Sequence, residues 1–167
     1  MPFAPLYKLA SIELLSVNMI AVLQRDQVEA LQAINPDLQP FVYFGTARRV
    51  DQIIFPGCFV LPVRIPMTQD ADLQGVTMRQ ELTMEVADIA SDPERLAREM
   101  LQRMRACVQM ALTASAPDLF EGVALSNYGS VAWDVTEIQV NEWPRQSAQG
   151  HYFSRAQAQV VFNYLER

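Results

Sequence analysis

A chain of 167 residues with a formal charge of −6 and a sequence pI near 4.7 is poorly suited to gripping phosphate backbones, which argues against nucleic acid as a primary ligand. Half of the residues are hydrophobic and 19% are charged, enough for one packed core and too short a chain for two, so residues 1–167 are expected to form a single α/β domain. The segment MPFAPLYKLASIELL lacks the layout of a secretory signal, and the apolar stretch from Leu14 to Leu23 falls well short of the roughly 20 residues a spanning helix needs, so a cytoplasmic protein without a membrane helix is expected.

From Ser11 to Ile34 the residues Ile12, Leu15, Met19, Ala21, Val22, Val28 and Leu31 recur mostly three or four apart, which predicts a helix over about 11–34 with a break near Arg25. Asn35-Pro36 ends it, because the residue before proline avoids the α region. Between Pro40 and Pro66 the β-branched and aromatic residues Phe41 to Phe44, Ile53 to Phe55 and Phe59 to Ile65 are interrupted by Pro56-Gly57, predicting two or three strands of a β-meander that runs over about 41–88. Pro62 and Pro66 cannot donate to a ladder, so their segment should be an edge strand or leave the sheet early.

Met67 to Gly75 reads as an exposed polar loop. Strict alternation follows it, with Met78, Gln80, Leu82, Met84 and Val86 on one face and Arg79, Glu81, Thr83 and Glu85 on the other, the pattern of a strand with one wet side. A second helix over 92–115 has the clearest start: Ser91 or Asp92 can cap it, Pro93 suits its first position and Glu94 complements its positive end. Its apolar stripe is Leu96, Ala97, Met100, Leu101, Met104, Cys107, Val108, Ala111 and Leu112, with Glu94 to Arg98 and Glu99 to Arg103 as ion pairs outside it. After a loop through Ala116-Pro117 and Gly122, alternation in 131–143 and again in 153–165 predicts a C-terminal hairpin over about 131–165. The order helix, strands, helix, two strands implies an α+β fold, a mostly antiparallel sheet with two main helices packed on one face.

Few residues offer chemistry. Asp70, Asp72, Gln74, Gly75 and Glu81 stand at calcium-loop spacing, but Gln74 replaces the usual Asp or Asn and the flanks read as strands instead of helices, so Asp70, Asp72 and Glu81 are only weak metal candidates and the segment reads as a solvated acidic loop. His151 is the single histidine and falls in a predicted hairpin loop with no nucleophile motif beside it. Phosphate-cradling glycine motifs are missing from the sequence, and Glu81 with Glu85 read as solubilising charges along the wet side of a strand. Arg95, Arg98, Arg103 and Arg105 with interleaved Glu94 and Glu99 read as a solvated helix face. Cys58 and Cys107 belong to no Cys-x-x-Cys pair and are expected as buried free thiols, while Met78, Met84, Met100, Met104 and Met110 are expected to fill core space, with an adaptable protein-binding surface as the alternative. Neither an enzyme nor a cofactor is expected.

Three segments carry a family resemblance: FPGCFVLPV at Phe55 to Val63, RQELTMEVAD at Arg79 to Asp88, and DPERLAREMLQRMRACVQMAL at Asp92 to Leu112. Together with the element order they resemble the tail terminator, or tail completion, proteins of tailed bacteriophages. The resemblance implies a homo-oligomer, a hexameric ring, that caps the tail tube protein, ends its polymerisation and joins the neck or connector protein. It also implies assembly in the host cytoplasm, a final place in the virion, and DNA passing through the ring without specific binding. A ring needs two different patches per subunit, and the exposed, irregular segment with Pro62, Arg64, Pro66, Thr68, Asp70 and Asp72 is the expected interface. A head-tail connector or stopper is the neighbouring alternative, and a calcium-binding or enzymatic domain built on Asp70, Asp72 and Glu81 is the alternative of another class.

Overall fold

The computed structural model describes residues 12–46, 55–62, 70–72, 75–123, 128–146 and 150–166. Helix α1 spans Ile12–Ile34 and buries Leu15, Met19, Val22, Leu23 and Leu31. It ends where expected, and the Asn35 side-chain oxygen accepts from the backbone N–H of Asp37 at 3.0 Å to turn the chain. No break occurs at Arg25. Its guanidinium holds Asp26 on the same helix and Asp118 across a short gap, which suits an unbroken helix surface. Ala21 and Val28, expected on the apolar face, are exposed.

The strands are β1 (Tyr43–Gly45), β2 (Gly57–Pro62), β3 (Asp70–Asp72), β4 (Gly75–Ala90), β5 (Tyr128–Gln146) and β6 (Tyr152–Glu166). Helix α2 (Pro93–Thr113) and the short α3 (Ala116–Leu119) lie between β4 and β5. The sheet order is β1-β2-β4-β6-β5, with β3 paired to the start of β4. All pairs are antiparallel except β1 with β2, where Tyr43 to Gly45 run parallel to Gly57 to Phe59. That single parallel pair corrects the meander, since adjacent parallel strands cannot be joined by a hairpin. The rest is the expected mostly antiparallel α+β sheet, and β5 with β6 form the expected C-terminal pair.

Helix α2 starts as its sequence dictates. The Asp92 carboxylate accepts from the backbone N–H groups of Glu94 at 3.1 Å and Arg95 at 3.3 Å, with Pro93 in the first turn. Leu96, Met100, Met104, Cys107, Met110 and Ala111 then meet Leu82, Met84 and Val86 of β4 and Ala156, Ala158, Val160 and Phe162 of β6 in one core. Register makes this possible, because Leu82 lies opposite Val160, Met84 opposite Ala158 and Val86 opposite Ala156, pairing large with small across the strands. The core-filling reading of the methionines holds, since Met78, Met84, Met100, Met104 and Met110 are all buried there.

Five expectations about these elements are corrected. Arg103 is not on a solvated face: it is 3% exposed, lies over the Phe41 ring at 5.4 Å and donates to the Gln39 carbonyl. Leu101 and Leu112, placed in the apolar stripe by spacing, are exposed instead. The ion pair that forms on the helix is Arg95 with Glu99 at 2.8 Å, since Arg103 has turned inward. The loop after Met67 contains a strand, β3, and the segment after Ala116-Pro117 contains α3, whose Leu119 carbonyl accepts from the Asn18 amide of α1 at 2.8 Å.

Candidate functional site

The residues singled out for metal or interface chemistry do not converge. Pro62 closes β2 opposite Leu82 and is exposed, beyond the three residues of β2 that β1 covers. The strand therefore loses its outer neighbour before the proline, as a residue without an N–H requires. Arg64, Pro66 and Thr68 lie outside the described residues. In β3, Asp70 stands opposite Thr77 and Asp72 opposite Gly75. Glu81 is six residues further along β4 than Gly75, roughly 20 Å at the rise of an extended strand. That separation is incompatible with one cation held by Asp72 and Glu81, and Glu81 instead pairs with Arg79 at 2.9 Å. Among the described residues no group of three His, Cys, Asp or Glu side chains could hold a metal ion. His151 is exposed just before β6, next to Gly150 with its positive φ of 80°.

The second face of the central sheet departs most from expectation. Glu85, read as a solvent-facing charge, is 2% exposed, and Thr83 is buried beside it. Their partners come from β6: the Gln157 amide donates to Glu85 at 2.8 Å, the Arg155 Nε stands 3.4 Å from the same oxygen, and Thr83 donates to Gln159 at 3.0 Å. Phe59 of β2, opposite Glu85, is buried there too, against the Tyr43 ring at 5.5 Å. Sequence alternation missed this because a polar residue on a covered face looks the same as one in water. The cue available was the run of polar residues in both strands, Thr83 and Glu85 against Gln157 and Gln159, which can satisfy one another only if they are neighbours.

Two further pairs of polar or thiol groups are internal. Asp88 of β4 stands 3.8 Å from the Arg103 Nε. Burial pushes the Asp88 carboxyl above its ordinary value and pulls the Arg103 guanidinium below its own. Cys58 of β2 and Cys107 of α2 are both fully buried free thiols, and a hydrogen bond with Cys107, together with burial, pushes the Cys58 thiol well above its ordinary value. A thiol held protonated and out of water is a poor nucleophile. These groups are buried between helix and sheet, where they tie α2 to β2 and β4.

The accessible chemistry is on the outside. Strand β5 ends the sheet order, so among the described residues its outer edge is unpaired. Its Val131, Trp133 and Val135 pack toward α2, with the Trp133 indole donating to the Ala111 carbonyl at 2.8 Å. Ala132, Asp134 and Thr136 alternate outward and are exposed. The alternation then breaks: Glu137 has a φ of 51°, register shifts between Thr136 and Gln139, and Glu137, Ile138 and Gln139 are all exposed. This is a bulge that turns an isoleucine into solvent on an open edge.

No family model matches the chain, and none of the curated proteins compared is similar to it. Among solved structures it is similar to a chain from "Virion of native gene transfer agent (GTA) particle", with 12% sequence identity and a TM-score of 0.48 over 95% of this chain and 98% of that chain.

Proposed function

We propose that the chain is a non-enzymatic structural subunit that closes into a ring, the terminator at the end of a bacteriophage tail tube. One observation carries the reading. The three segments with the family resemblance fall on β2, β4 and α2, two adjacent strands of the sheet and the helix packed on them: Cys58 lies opposite Val86, and Cys107 reaches Cys58 from the helix above. The resembling residues thus form one packing spine, and the loops and edges around it are left to meet partners. In this reading the ring is hexameric, stops tube growth by occupying the last tube layer, and offers its other face to the neck. Pro62 and the β3 turn with Asp70 and Asp72 are proposed contacts, together with Arg64, Pro66 and Thr68. Electron microscopy of the purified chain mixed with growing tail tubes tests this. Rings at tube ends and tubes of arrested length are expected; tubes that keep growing with bare ends would overturn it.

A further inference from the structure

The ring reading leaves open which surfaces of neighbouring copies meet, and the inference here rests on that reading. Two exposed patches on this chain match each other in charge, apolarity and spacing. On α2, Arg98, Leu101, Arg105 and Leu112 recur at three, four and seven residues, one narrow stripe on the side away from the sheet. Leu101 is 55% exposed and Leu112 48%. Among the described residues neither Arg98 nor Arg105 has an ion-pair partner, unlike Arg95, which is held by Glu99. Glu94 opens the stripe one turn before Arg98, and from Arg98 onward it is cationic, with Leu101 between the two arginines and Leu112 beyond them.

On β5 the outward face carries Asp134 and then, at the bulge, Glu137 and Ile138, the last 56% exposed. That patch is anionic with an apolar neighbour, and it lies on the opposite layer of the fold from the helix stripe. Spacing agrees as well. Arg98 and Arg105 are about 10 Å apart along the helix, and Asp134 and Glu137, three residues apart on β5, are at most about 10 Å apart because the chain bulges at Glu137. Two leucines on the helix and an isoleucine on the strand would be left in water by a lone subunit, and each is flanked by the charge opposite to the other's.

We infer that copies of this chain associate head to tail, with the outer stripe of α2 in one copy docked on the bulged β5 edge of the next. Different patches on the two sides make the contact heterologous, the type that generates a ring when the rotation closes. Helix layer against sheet layer also repeats the packing already used inside each subunit, and it covers the open edge of β5. The charges set register and partner choice, while the leucines and isoleucine supply the buried centre.

Charge reversal on the full chain tests the contact. Arg98→Glu with Arg105→Glu, or Asp134→Lys with Glu137→Lys, is expected to weaken self-association measured by sedimentation at least roughly tenfold, and joining all four changes in one chain is expected to restore most of it. Thermal unfolding serves as the folding control, since all four side chains are on the surface. A second measurement uses a short bismaleimide, to which buried Cys58 and Cys107 are closed. Mixing Leu101→Cys copies with Ile138→Cys copies should give a cross-linked dimer, and either variant alone should give none. Unchanged association of both double variants, or no gain in the fourfold variant, overturns the contact while a ring that still caps tubes keeps the functional reading. A chain that forms no oligomer in solution or on tubes overturns both.

Discussion

The two faces of the central sheet are built from opposite materials, one closed throughout and the other closed to water only around Thr83 and Glu85. Toward the helices, β4 and β6 present Leu82, Met84, Val86, Ala156, Ala158 and Val160. Away from them, the same strands present Thr83, Glu85, Gln157 and Gln159, tied across the ladder by side-chain hydrogen bonds. The apolar face supplies most of the driving force for folding, because its gain scales with area and has little directional preference. The polar face supplies register. Thr83 faces Gln159 and Glu85 faces Gln157, and a slip of one residue would break both pairs and turn every core side chain outward. The comparison teaches that stability and alignment of the long strands are carried by different sides of the same backbone.

The sharpest way to break that division is from the apolar side. Leu82→Ala is expected to lower unfolding free energy by about 3 kcal/mol in denaturant titration, since Leu82 is fully buried between α2 and the sheet. On the polar side Glu85→Ala should lose less, about 2 kcal/mol, because its partner Arg155 is partly exposed and water can screen the charge left behind. Replacing both with Leu should recover most of that loss, and the recovered protein should show weaker hydrogen-exchange protection along β6 if the polar ladder is what aligns it. Equal losses from Leu82→Ala and Glu85→Ala would erase the distinction.

The smallest effect concerns Asp88, at the end of the apolar side. Burial holds its carboxyl above the ordinary range, so the folded state keeps that proton to a higher pH than the unfolded chain does. Its contribution is complete below the unfolded value near 3.9 and is lost as pH rises through the folded one. Asp88→Asn cannot ionise. The variant should therefore gain on the wild type as pH is raised from about 3 to 7, read as a difference in melting temperature; a difference that stays flat would show that Arg103 already offsets the burial of Asp88.

Local signals made much of the framework legible. Asp92-Pro93 started α2, Asn35-Pro36 ended α1, and alternation located β4, β5 and β6, because caps, proline and periodicity act within a few residues. What stayed hidden depended on neighbours far along the chain. Arg103 looks like any surface arginine until Phe41, Gln39 and Asp88 arrive around it. Glu85 looks solvated until β6 brings Gln157, and the parallel placement of β1 cannot be read from three residues. The candidate site suffered most. The acidic residues Asp70, Asp72 and Glu81 share a spacing in sequence but are drawn out along a hairpin, whereas the bulge at Glu137 shows in the sequence only as a change of phase, from apolar Val131, Trp133 and Val135 to apolar Ile138 and Val140.

Among the described residues strand β6 follows every other strand yet lies inside the sheet, between β4 and β5. Its ladder with β4 joins residues roughly 60 to 90 positions apart, a topology of high contact order that folds slowly. Until β6 enters, β4 has a bare edge and β5 has nothing to pair with. A growing chain therefore cannot display the β5 edge in its final form before β6 has been synthesised and inserted. Order of synthesis would thus act as a timer: a half-made subunit lacks the β5 surface inferred above to join its neighbour, and premature association through it on the ribosome would be disfavoured by topology alone.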